Sequence, residues 1–395
     1  MKNKCFIFIT SIICLSSCSN KPEGYISYDN IKTLPKVITK AEIIDVKRSN
    51  PVSEEDFFDL HTSDINFIQL DNKISLGTIT KIRRYKERIY ILSNDRIYIF
   101  KTNGKYLKTI DYKGHGHKEY ICLKDFQIIP EEKSIIAVDD LEKKIFTFSL
   151  ETGKILKVSD EIIGTPFVRK FNGHFYHSVH FNNDWNENET WQLVVTNGKK
   201  IVAKQFKMFP ISEEADGANN LYEYKDYMNY IPEYSDTIYS LNKDFTYSNK
   251  YIVKHDNSLW EKKNEKLSFE DVRNIMKKQK YSYLIADMFF ETTKGIVFAL
   301  EEGQQDGEFI EHYFYDKQKK KTFKIQTGWY GQGINVIFPI QNSFVYNDEI
   351  YGYYTDVENY RKMMNPNLIS NKKLQKIVKE AKTGDNPVII SYKIK

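Results

Sequence analysis

A histidine run in the first half of the chain is the densest group of side chains able to bind a metal or move a proton. His174, His177 and His180 follow one another at three-residue intervals, with Asp184 nearby. On a β-strand, alternate residues share a face, so His174 and His180 point to one side and His177 to the other. One metal ion needs three or four convergent ligands, which this spacing does not provide. We therefore expect neither metal nor cofactor, and name His174 and His180 as the ligands a metal site would use.

Two glycine-containing segments form a second candidate site, for ligand binding. They are GHGHKEY at 114–120 and WYGQG at 329–333. Glycine lets a backbone approach a ligand closely, while aromatic and titratable side chains supply contacts. The binding residues predicted from these segments are His115, His117, Glu119, Tyr120, Trp329 and Tyr330. The alternative is that the glycines only serve turns.

The local motifs of well-known enzyme classes are missing from the sequence. It contains no Gly-x-Ser-x-Gly, no His-Glu-x-x-His, and no glycine loop for a phosphate or a dinucleotide. The acidic stretch at 301–308 departs from the ligand order of a calcium-binding EF-hand loop. No catalytic residue is assigned, although a site assembled from distant strands would escape such a search.

The composition excludes several classes of protein. Among 395 residues, 41% are hydrophobic and 14% aromatic, which is too apolar for a disordered chain. The 58 basic and 53 acidic residues nearly balance, leaving a net charge of +5. Bulk charge therefore gives no reason to expect nucleic acid as a partner.

The first 18 residues predict export and lipid attachment. Lys2 and Lys4 precede an apolar run at 5–13 that is too short to span a membrane, which needs about 20 residues. The following Leu-Ser-Ser-Cys resembles the lipobox of bacterial lipoproteins, in which Cys18 is acylated, for example with palmitate. The alternative is an ordinary secretory signal. We predict a signal peptide over 1–17 and a lipidated tether and lead-in over 18–60. Cys122 is then the remaining free thiol, so no internal disulfide is expected.

The body of the chain repeats one pattern of strands and turns. Hairpin turns at Gly104, Gly153, Gly198 and Asp244 recur at intervals of about 45 residues, each between β-rich runs. A repeat of this length with four strands per unit is typical of a β-propeller. Two more copies follow, so residues 61–395 are predicted to form an all-β, six-bladed β-propeller. The terminal run at 388–394 is expected to pair with the early run at 65–70 and close the ring.

Two short helical insertions are expected within this propeller. Ser268 and the acidic residues after it resemble a helix start, which predicts a helix over about 268–285. Leu374, Ile377, Val378 and Ala381 have helical spacing, with Gly384 as a stop, which places the second insertion at about 358–383.

Several of these segments together resemble a known family. They are the runs at 77–82, 88–92 and 97–105, the loop at 114–120 and the C-terminal DNPVIISYKIK at 385–395. The chain is similar there to the six-bladed β-propeller lipoproteins of Bacteroidetes, a family of unknown function. Lys118 stands where the family pattern has a third glycine. The resemblance implies a fold and an envelope address and transfers no catalytic residue.

The leading functional hypothesis is a lipid-anchored propeller that binds a protein partner or an extracellular ligand without catalysis. The predicted location is the outer membrane, with the membrane face left open. The main alternative is a propeller hydrolase or lyase with a channel-mouth site, with or without a metal. A third hypothesis is a structural subunit of an uptake or secretion assembly.

Overall fold

The computed structural model describes residues 28–395 except 29, 166, 180–190, 209–219, 226, 260–268, 305–306, 327–342, 355–356, 364–365 and 370. Six sheets surround a common axis. In the first three the strand order follows the chain from the inner to the outer strand, whereas N-terminal strands form the outer edge of the other three. The protein is a six-bladed β-propeller, as the sequence predicts.

The blades are made of antiparallel strands with short turns. The first three consist of β4 (Ile79–Tyr85), β5 (Arg88–Ser93), β6 (Arg96–Lys101) and β7 (Tyr106–Ile110); β8 (Leu123–Ile129), β9 (Ser134–Asp139), β10 (Lys144–Ser149) and β11 (Ile155–Asp160); and β12 (Phe167–Phe171), β13 (His174–Ser178), β14 (Trp191–Thr196) and β15 (Ile201–Lys207).

The remaining three blades are less uniform. Blade four has β16 (Leu221–Tyr224), β17 (Tyr227–Tyr230), β18 (Thr237–Leu241) and β19 (Tyr247–Lys254), and blade five has β20 (Tyr281–Leu284), β21 (Phe290–Glu291), β22 (Gly295–Gln304), β23 (Gly307–Asp316) and β24 (Lys321–Gln326). Blade six combines β25 (Phe344–Tyr346), β26 (Glu349–Tyr354) and β27 (Val388–Ile394) with the N-terminal strand β3 (Thr62–Gln69).

The middle and outer strands of a blade differ in how many of their residues are buried. All six residues of the middle strand β9 are buried, as expected for a strand covered on both faces by neighbouring blades. The outer strand β11 has no buried residue. At the rim, Gly104 has a φ of 87°, and a Cβ there would lie 2.0 Å from the carbonyl oxygen of Gln69. Both the turn and the contact with blade six therefore require glycine.

The ring closes as predicted. β27 and β3 are antiparallel, with Val388 opposite Gln69 and Ile390 opposite Phe67. Because the two ends of the chain share one sheet, opening the ring requires breaking this pairing, and neither strand presents a bare edge to the other.

The N-terminal segment is more structured than the predicted tether. Thr33 bridges to Lys204, and β1 (Glu42–Asp45) and β2 (Asn50–Ser53) extend the outer edges of blades four and five as parallel strands. Helix α1 (Glu54–His61) then leads into β3. We call residues 30–53 the strap, because they run around the outside of blades three to five. Its short pairing segments lack a strong apolar alternation of their own, which is why the sequence does not reveal them.

The two predicted insertions are helical in part. Helix α2 (Phe269–Lys278) is shorter than predicted, because Tyr281 and Tyr283 lie in strand β20 and pair with β22. The second insertion contains α3 (Val357–Met363) and α4 (Lys372–Glu380), and Asn371 caps α4. In α4, Leu374, Ile377 and Val378 are buried against blade six.

Candidate functional site

A cavity of about 820 Å³ lies on the propeller axis and is lined by the inner strands. Its wall combines apolar and aromatic residues with charged ones. The wall includes Thr80, Lys81, Arg83, Arg84, Gln127, Phe167, Arg169, Glu223, Glu291 and Phe344. This volume is in the range that accommodates small-molecule ligands.

Four charged residues occupy equivalent places in four successive blades. Lys81, Asp125, Arg169 and Glu223 are each the third residue of the inner strand of their blade. Equivalent positions in a propeller lie at one depth along the axis, so the four form a layer that alternates between positive and negative charge. We call these residues, together with Arg83, the channel cluster.

Asp125 joins three blades. One carboxylate oxygen accepts from Lys81 Nζ of blade one and the other from Arg169 Nη1 of blade three. The side chains of Lys81, Asp125 and Arg169 are 8%, 1% and 3% exposed. Burial opposes ionisation of Asp125, yet the charges of Arg169 and Lys81 hold its pKa below the usual range. The carboxylate is therefore ionised at neutral pH and ties the blades together.

Arg83 lies two residues further along β4, on the same side of the strand as Lys81. Its Nη1 donates to the carbonyl oxygen of Ile82 at 2.7 Å, and its guanidinium lies 5.5 Å from the centre of the Phe344 ring. Burial, and next the nearby charge of Arg169, lower the pKa of Arg83 to about 10. The guanidinium remains charged at neutral pH.

Glu223 is the member of this layer that blade four contributes. Its side chain is exposed to the channel, although the blades surround it. One carboxylate oxygen accepts from Gln127, whose side-chain oxygen in turn accepts from the backbone of Lys170 at 2.7 Å. Removal from bulk water raises the pKa of Glu223, and the charge of Arg169 opposes this shift. The acid form of Glu223 is thus easier to reach than in a surface glutamate.

A second charged group on the cavity wall is paired. Glu291 accepts from Lys250 and Lys317 at 2.7 Å each, and from the Tyr251 hydroxyl at 2.7 Å. Nearby, Arg84 donates to Glu349 at 3.3 Å and to Tyr351. The basic side chains at this part of the cavity therefore form ion pairs with carboxylates of the protein itself.

A serine, a histidine and an aspartate meet away from the channel, between blades four and five. Nε2 of His255 lies 2.6 Å from Asp236 Oδ1, and Nδ1 lies 2.6 Å from Ser282 Oγ. Ser258 donates to the second oxygen of Asp236, and Ser282 donates to the carbonyl oxygen of Asp256 at 2.5 Å. We call Asp236, His255, Ser258 and Ser282 the closed cluster. All four are at most 5% exposed and none lines the cavity, so the serine is not placed to attack a substrate.

The GHGHKEY loop lies outside the cavity wall. His115 and His117 are exposed, and Glu119 accepts from the backbone nitrogen of Gly116 at 2.8 Å, closing the loop on itself. Tyr120 is fully buried between blades one and two, with its ring 5.6 Å from that of Phe146. This residue belongs to the core and not to a channel mouth. Its aromatic character, which suggested ligand contact in the sequence, serves packing.

The other sequence candidates are separated or fall outside the described part of the chain. Trp329, Tyr330 and His180 lie outside it, so their assigned roles stay predictions. His174 packs on Phe245 at 4.8 Å, and His177 is buried, with Nδ1 2.8 Å from Glu161. Among the described residues, no group of three or more His, Cys, Asp or Glu side chains is arranged to bind a metal.

The channel cluster is not among the sites that the sequence predicts. Lys81, Asp125 and Arg169 are separated by 44 residues in each step, which matches the period of the turns. Aligning the repeats by their hairpins places these charges in one column. That signal was present, but a single charged residue in an apolar strand carries no motif of its own.

Comparison with known families gives one match over most of the chain. Residues 41–393 match DUF4934, a domain of unknown function. The chain belongs to the DUF4934 family. None of the curated proteins matches it.

Solved structures support the propeller fold of this DUF4934 protein. An exported protein of Bacteroides fragilis is similar at 17% identity and a TM-score of 0.71, over 89% of this chain and 99% of that one. A DUF4221 family member from Bacteroides vulgatus has 12% identity and a TM-score of 0.51, over 85% and 97% of the two chains. At these identities the similarity establishes the fold alone.

Proposed function

We propose that this DUF4934 protein is an exported lipoprotein that binds an extracellular ligand of small-molecule size in its central channel, without chemical conversion. The observation that carries the proposal is the axial cavity of about 820 Å³, whose wall combines aromatic rings with buried charges. A rigid ring of six blades holds these side chains in place before any ligand arrives, which lowers the entropic cost of binding.

Export and anchoring are supported by the sequence and by one relative. Leu15–Cys18 has the pattern of a lipoprotein processing site, and the similar Bacteroides fragilis protein is described as exported. In the described part of the chain, no helix is both long and apolar enough to cross a membrane. We propose that Cys18 carries the lipid and holds the propeller at the outer membrane.

The distance between anchor and propeller is short. Tyr28 is buried on the propeller, where its carbonyl oxygen accepts from Lys204 of blade three at 3.1 Å. A fully extended chain spans at most about 3.6 Å per residue, so the ten steps from Cys18 to Tyr28 reach roughly 36 Å. Under this proposal the ring stays close to the membrane.

The binding hypothesis is preferred over the hydrolase or lyase alternative for a structural reason. The Ser282–His255–Asp236 array, which has the residue types of a hydrolytic triad, is closed and lies away from the cavity. The charged residues on the wall are joined across blades, as suits a preformed binding surface. No described feature favours the alternative specifically.

A channel-filling variant tests this proposal. Thr80 lines the cavity with an exposed side chain, so Thr80→Trp would occupy space that a ligand needs. Leu107→Trp places the same side chain on the exposed outer strand of the same blade and serves as the matched control. The full-length lipoprotein in detergent is screened by thermal shift against sugars, organic acids, nucleotides and short peptides. We expect compounds that raise the Tm of wild type and Leu107→Trp but not of Thr80→Trp.

Two results contradict the channel proposal. One is a set of ligands whose Tm shift is the same in all three proteins, because these would bind outside the channel. The other is a protein partner captured equally well by wild type and Thr80→Trp, with no small-molecule ligand found. That result would support the protein-binding form of the hypothesis.

Lipid attachment has its own test. Cells expressing the protein are labelled with radioactive palmitate, with Cys18→Ala as the variant and Cys122→Ala as the thiol control. We expect label in wild type and Cys122→Ala and none in Cys18→Ala. Equal labelling of Cys18→Ala would contradict anchoring through Cys18.

A further inference from the structure

The carboxyl groups of the channel cluster are not shared evenly among its basic groups. Burial, and next the charge of Arg169, hold the pKa of Lys81 well below its usual range, so the two guanidinium groups of Arg83 and Arg169 are the cations to be matched by Asp125 and Glu223. Asp125 is fully engaged by Lys81 and Arg169. Glu223 is engaged by Gln127, an uncharged partner. Neither carboxyl group therefore forms an ion pair with Arg83.

Arg83 is an arginine of the cavity wall that has no carboxylate partner among the described residues. None of the described carboxylates lies within ion-pair distance of its guanidinium, and its one side-chain hydrogen bond goes to the backbone of Ile82. The side chain is partly exposed and lines the cavity. A guanidinium offers five N–H donors, so most of the donors of Arg83 point to no acceptor among the described residues.

Arg169, another arginine of the channel cluster, also has a donor nitrogen without a partner in the described part of the chain. Its Nη1 serves both Asp125 and the carbonyl oxygen of Val168, whereas its buried Nη2 has no hydrogen-bond partner among the described residues. A buried polar group without a partner costs about 1–3 kcal/mol, and more when it is charged. An acceptor entering from the cavity would reduce that cost after a small movement of the side chain.

The neighbouring arginine shows that this lack of partners is local. Arg84 follows Arg83 directly in β4 and lines the same cavity, but it is paired with Glu349 and Tyr351. Lys250 and Lys317 are paired with Glu291. Lys124 also lines the cavity without an ion pair among the described residues, but its side chain is exposed to solvent. Among the arginines of the described wall, unused donors are concentrated at Arg83 and Arg169.

We infer that the channel ligand carries an oxyanion, a carboxylate or a phosphate, that binds to Arg83 beside Arg169. The planar fork of a guanidinium matches two oxygens of either group. Phe344, whose ring lies 5.5 Å from the Arg83 guanidinium, and Phe167 supply apolar contact surface for the remainder of the ligand. This inference rests on the proposed function, because it names the class of ligand for the same cavity.

Anion titrations test the inference directly. Inorganic phosphate and acetate are titrated calorimetrically into the full-length lipoprotein, at an ionic strength kept constant with sodium chloride. Arg83→Gln removes the unmatched charge. Arg96→Gln removes an arginine that is ion-paired with Asp111 at 2.7 Å and does not line the cavity, so it controls for net charge. Glu223→Gln removes a negative charge from the same wall.

We expect Arg83→Gln and Glu223→Gln to change anion affinity in opposite directions. Wild type binds at least one of the two anions saturably at one site, and Arg83→Gln weakens that binding about tenfold or more, as the loss of a charged hydrogen-bonding group implies. Arg96→Gln leaves it unchanged and Glu223→Gln strengthens it. A preference for acetate identifies a carboxylate site, and a preference for phosphate identifies a phosphate site.

The inference is overturned if wild type binds neither anion saturably, or if Arg83→Gln and Arg96→Gln weaken binding equally. This failure differs from failure of the proposed function. If uncharged compounds bind wild type and not Thr80→Trp while anions do not bind, the channel still takes a ligand and only the oxyanion class is wrong.

Discussion

The channel cluster and the closed cluster are two buried polar groups built from similar chemistry, and they differ in how completely they are satisfied. In the closed cluster, Asp236 accepts from two side chains and His255 has a partner at both ring nitrogens. In the channel cluster, Asp125 is saturated, but Arg83 and Arg169, which both line the cavity, have donors without a partner among the described residues. A closed polar network stabilises a fold, whereas an incompletely satisfied one next to a cavity is suited to a ligand.

The largest effect is expected where the channel cluster also stabilises the fold. Asp125→Asn keeps the shape of the side chain and leaves Lys81 and Arg169 buried without an anion. We expect the free energy of unfolding at neutral pH to fall by about 3–5 kcal/mol, the usual cost of breaking a buried ion pair. Urea unfolding measures it. Asp111→Asn, in a partly exposed pair with Arg96, is the control and should cost at most about 1 kcal/mol.

The pH dependence of stability also tests whether Asp125 is the buried anion that stabilises the fold. Because the pKa of Asp125 is lowered in the folded state, its contribution is complete above the usual aspartate pKa of about 3.9 and is lost as pH falls through the lower folded value. Asp125→Asn should therefore lack this part of the acid-induced loss of stability. Equal small losses for Asp125→Asn and Asp111→Asn at neutral pH would show that Asp125 does not hold the blades together.

A smaller loss of stability is expected from the closed cluster. Asp236→Ala removes the acceptor of His255 and Ser258, which are 5% and 3% exposed. We expect the free energy of unfolding to fall by about 1–3 kcal/mol, with anion affinity unchanged in the folded protein. Urea unfolding and calorimetry are run on the same preparations. If anion affinity falls as much as in Arg83→Gln, the two clusters are not independent.

The next prediction concerns pH and the affinity of the channel for anions. The pKa of Glu223 is raised, so its negative charge is lost before that of a surface glutamate as pH falls. Arg169, Arg83, Gln127 and Glu131 are the groups that act on it. Sulfate affinity of wild type should rise several-fold from neutral pH toward the usual glutamate pKa of about 4.3. Glu223→Gln should show high affinity already at neutral pH and a flatter profile. Parallel profiles in the two proteins would exclude Glu223 as the titrating group.

The smallest effect is expected from metal removal. No described group of ligands in either cluster is arranged for a metal ion. Adding EDTA should leave the Tm unchanged, with magnesium-saturated EDTA as the control. A lower Tm that one divalent metal restores would direct attention to His180 and other residues outside the described ranges.

The repeat architecture could be predicted from the sequence because its determinants are local. Turn glycines such as Gly104, strands with apolar residues on both faces such as β9, and the paired terminal runs all leave short-range patterns. The strap could not be predicted in the same way. Its strands gain order from pairing with β19 and β24, which lie far away in the sequence, and not from their own periodicity.

The candidate site shows the limit of local patterns. Clustered residues drew attention to His174, His177 and the GHGHKEY loop, and the structure distributes these among the core, the protein surface and a self-closed turn. Tyr120 had the residue type of a ligand contact but the environment of a core residue. Residue type alone could not separate these two roles, because an aromatic ring is suited to both.

The sequence by itself determined the export signal pattern, the strand-and-turn repeat and the number of blades, since each depends on residues close together in the chain. Only the tertiary structure decided which charges meet on the axis. Lys81, Asp125 and Arg169 are 44 residues apart in each step, and they become neighbours because each blade turns the chain back to the axis at the same depth. Among the described residues, Arg83 has no carboxylate partner for the same reason: whether a charge finds a partner depends on side chains from other blades, which no single segment contains.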